Sequence, residues 1–425
     1  MNVYLDMVGC RLNQSEIETM ANQFRAAGHS IVGEPDDADL VVVNTCAVTS
    51  AAASDSRQKI RHAYRAGAKS IVVTGCWSTL APDRALGLPG VSQVISNKEK
   101  DGLVAHVLGT SEAFDLEPVA RQPLPGIHQR TRAFIKVQDG CDNRCTFCVT
   151  TLARGEGCSR TVELVLQDIH QAISGDVKEI VLTGVHLGSW GHDFSPSLHL
   201  SELIQNILRL PDLSRLRLSS LEPWDLREDF FDLWQDVRLS PHLHLPLQSG
   251  SATILRRMAR KTTPETFASL VEAARKAAPD VAVTSDIIVG FPGETDRYFE
   301  ESLDFVRAIG FASGHVFTYS SRPGTAAANF QDQIPQAVKK ERSARMRAAL
   351  ADSSLAFRKR FLGKTMSVLW EASDQHNSDG WRLNGLTGNY LRVSAISATP
   401  RWNQFDEVRL ETITEDGIAG RIVEE

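Results

Sequence analysis

Twice along this chain, short apolar runs alternate with stretches of helical spacing, and that alternation limits the fold more than any other feature. In the first series NVYLDMV, from Asn2, precedes NQSEIETMANQFRAAG, whose helical spacing ends at Gly28. LVVVNTC then leads into an alanine-rich helical stretch reaching about Arg65, and SIVVTGC is the third run. Strands that alternate with helices build a parallel sheet. Each run leads into a cysteine: Cys10, Cys46 and Cys76. Ligands of open parallel sheets gather beyond the carboxyl ends of the strands, so this fold would collect three thiols at one functional edge. Cysteine is also a common core residue, but chance burial does not account for the same structural position three times over.

The segment EPVARQPLPGIHQRT is rich in proline and has no period, which marks a linker. A second series follows with candidate strands RAFIKVQ, EIVLTGV, RLRLSS, HLHLPLQ, VAVTSDIIVGF and SGHVFTYS. Helical stretches such as TVELVLQDIHQAI and DRYFEESLDFVRAIG lie between them. Six such units over about 190 residues are too few for a closed eight-unit barrel, so a partial barrel is expected, with functional residues at strand C-termini. A basic, alanine-rich helix is expected from about Gln336 to Phe361. After Gly363 the pattern changes to alternation in TMSVLWEA, YLRVSAIS and DEVRLETITEDGIAGRIVE, which reads as a small β domain. The fold class is therefore α/β. The expected domains are an N-terminal parallel-sheet domain at 1–110, a linker at 111–130, a partial (βα)6 barrel at 131–362 and an all-β domain at 363–425.

No apolar run reaches the ~18 residues of a membrane span. MNVYLDMVGCRLN lacks the basic start and long apolar stretch of a signal peptide. The cytoplasm is thus the default location and no membrane partner is expected. Seven cysteines, an odd number, do not suit a disulfide framework, and clustered thiols in a reducing compartment more often hold metal or do chemistry. The net charge of −6 argues against a generally basic nucleic-acid binder. Local charge is uneven. Lys339 to Lys364 holds nine Lys and Arg against Glu341 and Asp352, and Arg121, Arg130, Arg132 and Lys136 share a stretch without an acid. Such stripes suit a polyanionic partner, or form a solvated helix face.

The stretch QDGCDNRCTFCVT carries Cys141, Cys145 and Cys148 at C-x3-C-x2-C spacing. A closed metal site usually takes four protein ligands. No histidine falls between Asp139 and Arg160, and Cys158 lies ten residues beyond Cys148 within ARGEGCSR, a separate basic segment. Three thiolates at this spacing suit a cubane iron–sulfur cluster with one iron left for an exogenous ligand. A zinc site completed by Cys158 is the alternative. Downstream, EIVLTGVHLGSWG, RLSSLEPW, HLPLQSGS and DIIVGFPGET end their strands in Gly, Ser or carboxylate, which suits close approach of a polar ligand and also suits ordinary turns. GVHLGSWG is not a dinucleotide fingerprint, and GKT at Gly363 has Arg358 where a P-loop needs its leading glycine.

C-x3-C-x2-C with Phe147 before the last cysteine, placed after the first strand of a six-unit series, resembles the signature of the radical S-adenosylmethionine (SAM) superfamily. The resemblance implies a [4Fe-4S] cluster on Cys141, Cys145 and Cys148 whose fourth iron is chelated by the amino and carboxylate groups of SAM. It also implies SAM contacts at the strand ends, through Thr183, Gly184, Ser220, Glu222, Gln248, Ser249 and Gly290. The whole chain resembles the methylthiotransferases, through VGCRLNQSEIETM, VNTCAVTSAAA, VVTGCW and ARGEGCSR, which looks like the R-G-x3-S-R box. That family joins an N-terminal α/β domain, a radical SAM core and a C-terminal TRAM domain that binds RNA. Cys10, Cys46 and Cys76 would then hold an auxiliary [4Fe-4S] cluster whose open iron carries sulfur, and no catalytic residue beyond the cluster ligands is implied.

Within the family, LTGVHLGSWG, HLHLPLQSGSATILRRM and HVFTYSSRPGTAAA look most like the branch acting on carbon-2 of N(6)-threonylcarbamoyladenosine at position 37 of tRNA. Branches modifying isopentenyladenosine in tRNA or a ribosomal protein are the alternatives, and a zinc-stapled RNA-binding protein without activity is a remote one. The implied partners are a tRNA anticodon stem-loop, gripped by the basic helix and the β domain, and a reductant protein. The sequence departs from the family pattern twice. Thr151 stands where proline is usual, and Cys158 sits inside the R-G-x3-S-R box as a buried or incidental thiol.

Overall fold

The computed structural model describes residues 1–110, 131–375 and 380–423; the expected linker, with Arg121 and Arg130, lies outside them. The chain divides into two compact units, one within 1–144, 148–175 and 183–186, the other within 145–147, 176–182 and 187–425.

The first unit opens with β1 (Asn2–Met7), α1 (Arg11–Ala26), β2 (Ser30–Ile31), β3 (Leu40–Thr45), α2 (Ser50–Arg65), β4 (Ile71–Gly75), α3 (Cys76–Leu80), α4 (Pro82–Leu86), β5 (Val91–Val94) and α5 (Leu103–Leu108). All five strands are parallel, in the order β2–β1–β3–β4–β5. Every residue of β3 and β4 is buried, as expected of central strands covered by helices on both faces. The period of two divides β3 between two cores. Val41 and Val43 pack with Ile60 of α2 and Trp77 of α3, while Leu40 and Val42 pack with Ile17, Met20 and Phe24 of α1. The strand order reverses between β1 and β3, and at such a switch point the carboxyl ends of the strands open a crevice. β2 and β5 are additions to the sequence reading: β2 has two residues, and β5 (VSQV) is a half-exposed edge strand without an apolar run.

The first unit continues through β6 (Arg132–Lys136), β7 (Gln138–Asp139), α6 (Thr150–Arg154), β8 (Cys158–Ser159) and α7 (Val162–Ser174). β7 and β8 form a short antiparallel ribbon that pairs Asp139 with Cys158. Cys158 is exposed there, so of the two expectations, a buried or an incidental thiol, burial is corrected. The Thr161 hydroxyl caps α7 by accepting from the Leu164 N–H.

Next come β9 (Glu179–Thr183), α8 (Leu200–Leu208), β10 (Leu216–Leu218), β11 (His242–His244), α9 (Ala252–Arg257), α10 (Pro264–Ala277), β12 (Ala282–Val289), α11 (Asp296–Ile309), β13 (Ser313–Thr318) and α12 (Gln336–Lys359). All six strands read from the second series form, as β6 and β9 to β13. β10 runs parallel to β9, and β11, β12 and β13 are parallel neighbours; a bridge between Ser220 and His244 joins the two sets. The chain ends in β14 (Thr365–Gln375), β15 (Trp381–Thr387), β16 (Arg392–Ser397), β17 (Phe405–Ile413) and β18 (Ile418–Ile422). These close into a barrel in the order β14–β15–β16–β18–β17, a TRAM-like β domain. Its core of Val368, Trp370, Leu383, Val393, Val408 and Leu410 also takes Phe357 from the last turn of α12 and Phe361 just beyond it.

The basic run around α12 is mostly engaged within the protein. Lys339 donates to the Tyr319 carbonyl, and Arg342 pairs with Glu294 and Asp296. Arg345 pairs with Glu300, Arg347 donates to Ser343, Arg358 and Arg360 donate to backbone carbonyls, and Lys364 pairs with Asp280. Seven of its nine cations thus have protein partners, and the pairs of Arg345 and Lys364 lie exposed at the surface. Among the described residues no helix is long and apolar enough to cross a membrane.

Candidate metal centres

The first centre lies at the carboxyl edge of the N-terminal sheet. Cys10 caps α1 three residues after β1, Cys46 follows β3 directly, and Cys76 follows β4 as the first residue of α3. Two of these strands, β1 and β3, flank the switch point. Gly9 allows the close approach: its φ is +114°, and a Cβ there would lie 2.6 Å from both Cβ and Sγ of Cys46.

Beneath the thiols lies a buried ion cluster. Glu16 accepts from Lys100 Nζ at 2.8 Å and from Arg154 Nη1 at 2.9 Å. The three side chains are only 2%, 2% and 3% exposed. Arg154 also donates to Asp139 at 2.8 Å and to Asn13 Oδ1 at 3.0 Å, and Asn44 Nδ2 donates to Glu16 at 2.9 Å. Lys100 and Arg154 are thus balanced by two carboxylates, the fully buried Glu16 and the less buried Asp139.

Burial and the neighbouring Cys10 and Cys76 push the Cys46 thiol up to about 11, against a backbone hydrogen bond from Val48 and the pull of Arg154. Cys10 has an exposed surface, yet the protein around it also pushes its thiol up, while Arg154 and Asn13 draw it down. Three thiols that repel one another as thiolates are a donor set that a cationic cluster would satisfy. Among the described residues no three His, Cys, Asp or Glu side chains close on the volume of a single ion. A cubane differs in this respect, because each cysteine binds a separate iron.

The second centre is the loop after β7. Gly140 has φ +67°, and a Cβ there would collide with the Glu156 carbonyl, so the turn into Cys141 requires glycine. The Cys141 N–H donates to the Gly155 carbonyl at 3.0 Å. Cys148 receives the Thr150 N–H at 3.3 Å. Thr151, the departure from proline, sits in the first turn of α6, where proline would also fit, and its hydroxyl donates to the carbonyls of Cys141 and Asn143. Cys145 belongs to the second unit. There Arg260 Nη1 lies 3.8 Å from Cys145 Sγ. Arg260 also pairs with both oxygens of Glu222, at 3.1 and 2.6 Å, and stacks over Trp224 at 4.4 Å. The flanking Thr146 donates to Arg257 and Met258 carbonyls, and Phe147 packs edge-on against Phe291.

The residues read as SAM contacts lie at or just past strand ends. Thr183 ends β9, and its carbonyl accepts from Val137 N–H. Gly184 packs against Gln138, whose amide oxygen accepts from His186 N–H. Ser220 bridges to His244. Glu222 is held by Arg260. Gln248, at φ +71°, exchanges backbone hydrogen bonds with β12 through Asp286 and Ile288. The buried Ser249 hydroxyl accepts from Ser251 N–H. Gly290 N–H donates to Glu294 at 2.7 Å, and Lys339 fills the space a Cβ would need. Sequence reasoning missed Asn13, Glu16, Asn97, Lys100, Arg154 and Arg260. Arg154 carried a signal as the first arginine of the R-G-x3-S-R box, and Asn13 and Glu16 lie within VGCRLNQSEIETM.

Residues 2–96 match a family model described as "Uncharacterized protein family UPF0004", and residues 135–306 match the radical SAM superfamily. A threonylcarbamoyladenosine tRNA methylthiotransferase, MtaB, of Thermotoga maritima is 36% identical over 98% of this chain and 96% of its own. The protein of the same name in Bacillus subtilis is 34% identical over 91% and 88%. A tRNA-2-methylthio-N(6)-dimethylallyladenosine synthase of Ehrlichia canis is 33% identical over 87% and 88%. Among solved structures, the radical SAM methyltransferase TsrM of Kitasatospora setae, with tryptophan and a SAM analogue bound, superposes with a TM-score of 0.60 at 16% identity. That match covers 77% of this chain and 75% of that one, a likeness of fold. With relatives at this identity along nearly its whole length, the chain belongs to the radical SAM methylthiotransferase family.

Proposed function

We propose that this protein is a tRNA methylthiotransferase that replaces the hydrogen on carbon-2 of N(6)-threonylcarbamoyladenosine, at position 37, with a methylthio group. The observation that carries the reading is the 36% identity to the Thermotoga maritima enzyme across almost the whole of both chains. Its cofactors are SAM and [4Fe-4S] clusters. Cys141, Cys145 and Cys148 hold one cluster, and Cys10, Cys46 and Cys76 the other. When bound, these groups supply the one-electron chemistry that an unactivated C–H bond requires.

The protein's own part is to hold, orient and shield. The ion cluster of Glu16, Lys100, Arg154 and Asp139 places charge-paired cations beneath the N-terminal thiols. Arg260 does the same beside Cys145, with Glu222 as counter-charge. Thr183, Gly184, Ser220, Gln248, Ser249 and Gly290 line strand ends that receive SAM. Glu222 acts on SAM through Arg260 rather than as an unpaired carboxylate.

Residues 1–110 form the auxiliary-cluster domain, 131–362 the core and 363–425 the RNA-binding β domain. Phosphate contacts of the anticodon stem-loop are made by exposed cations of α12, Lys340 and Arg345 among them, and by the exposed Arg382, Arg392 and Arg409 of the barrel. An unpaired loop base reaches a pocket without melting a duplex. A reductant protein supplies electrons, and the reaction takes place in the cytoplasm.

The 33% identity to the dimethylallyladenosine enzyme supports a second reading, isopentenyladenosine as substrate. Anaerobically reconstituted protein, given SAM, dithionite and tRNA carrying either nucleoside, separates the two. Methylthiolation of threonylcarbamoyladenosine alone is expected. Product from isopentenyladenosine alone would overturn the proposal in favour of the second reading.

A further inference from the structure

One short helix is tied to both cysteine triads. α6 begins two residues after Cys148. At its first turn the Thr150 N–H reaches Cys148 Sγ at 3.3 Å, and the Thr151 hydroxyl reaches the Cys141 carbonyl at 3.1 Å and the Asn143 carbonyl at 3.3 Å. At its last turn the Ala153 carbonyl accepts from Asn97 Nδ2 at 2.8 Å, and Arg154 Nη2 donates to Asn13 Oδ1 at 3.0 Å. Each asparagine also touches a thiol of the N-terminal triad. Asn97 Nδ2 lies 3.6 Å from Cys76 Sγ, and Cys10 Sγ lies 3.7 Å from Asn13 Oδ1. Five helical residues rise roughly 7.5 Å, so less than two turns of backbone separate the ends that meet the two triads.

We propose that α6 is a strut that sets the spacing and orientation of the two clusters, with two positioning residues: Asn97, and Arg154 acting through Asn13, whose amide donates to the Val8 and Thr45 carbonyls just before Cys10 and Cys46. The strut is anchored. Arg154 is clamped between Glu16 and Asp139, and α6 buries Ala153 in the same core as Trp77 and Cys76. Sliding α6 along its axis would break a buried ion pair, which costs far more than an exposed one. Asn97 divides its two amide hydrogens between the strut and Cys76, so displacement of α6 is transmitted to that sulfur. Hydrogen bonds to cluster sulfurs raise reduction potential, so Asn97 also sets the poise of the N-terminal cluster. Sulfur held at one cluster must reach a substrate radical generated at the other, and a fixed spacing serves that transfer.

The proposal rests on the two-cluster reading above. The test uses the full-length, anaerobically reconstituted enzyme as wild type, Asn97→Ala and Thr151→Ala. It reads irons per chain, the reduction potential of each cluster by EPR titration, and the ratio of 5′-deoxyadenosine to methylthiolated nucleoside. Asn97→Ala is expected to keep about eight irons and to lower the N-terminal cluster potential. It should also raise the ratio about tenfold, the scale of losing an outer-shell partner. Thr151→Ala, altering the opposite end, is expected to raise the ratio while leaving that potential in place. A merely structural role would lower thermal stability and iron content without separating SAM cleavage from product. Wild-type potentials and ratios in whichever variants fold overturn the strut. About four irons in the wild type would instead overturn the two-cluster reading beneath it.

Discussion

Replacing Glu16 with glutamine removes the single fully buried anion that faces Lys100 and Arg154. The carboxylate now accepts from Lys100 at 2.8 Å, Arg154 at 2.9 Å and Asn44 at 2.9 Å. Breaking a buried pair by removing one partner costs about 3–5 kcal/mol, because the remaining charge stays desolvated. A glutamine oxygen still accepts one of these bonds, which places Glu16→Gln near the lower end, about 3 kcal/mol. For a unit of this size each kcal/mol lowers Tm by about 2–4 °C, so a loss of roughly 6–12 °C is expected.

The pH dependence has a definite sign. Burial alone would raise the Glu16 carboxyl, but Lys100 and Arg154 outweigh it and hold the group well below the usual carboxylate range. Its contribution is fully present above the unfolded carboxylate pKa of about 4.3 and is lost as pH falls toward the folded value. Thermal unfolding of wild type and Glu16→Gln, followed by circular dichroism, should show a constant gap from pH 8 to about 5 that narrows only below about 4.3. A gap under about 2 °C, or one that closes between pH 7 and 5, would refute the buried ion cluster as described.

Cys145→Ala should abolish 5′-deoxyadenosine formation, whereas Cys46→Ala should abolish methylthiolated product while 5′-deoxyadenosine still forms; full product from Cys46→Ala contradicts the two-site assignment. Gly140→Ala sets a Cβ against the Glu156 carbonyl at φ +67°, and iron analysis should fall from about eight to about four per chain. Arg260→Gln removes the cation 3.8 Å from Cys145 Sγ. At about 1.4 kcal/mol, the core cluster potential should become about 60 mV more negative in an EPR titration, and an unchanged potential contradicts the tuning role.

The strands were legible because their signal is local. LVVVNT and IVVTG open on unbroken apolar runs, and each strand passes directly into its cysteine, so sheet, edge and candidate ligands follow from adjacent residues. The same holds for the six strands of the second series and for the period-two pattern of the β barrel. β5 was not legible, because an edge strand can be half polar. The partners of the thiols were not legible either. Glu16 and Arg154 lie 138 positions apart, and Arg260 and Cys145 lie 115 apart. No periodicity records such pairings. Glu222 shows the consequence: its strand-end position was readable, its engagement by Arg260 was not. The α12 cations show it again, since a run of Lys and Arg does not reveal that Glu294, Asp296 and Glu300 lie opposite.

The central claim is tested most directly by nucleoside mass spectrometry of tRNA from cells lacking this gene, with and without a plasmid copy. The account predicts that 2-methylthio-N(6)-threonylcarbamoyladenosine disappears on deletion, that its unmodified precursor accumulates, and that the wild-type copy restores it while Cys46→Ala does not. Undiminished 2-methylthio-N(6)-threonylcarbamoyladenosine in the deleted cells would contradict it.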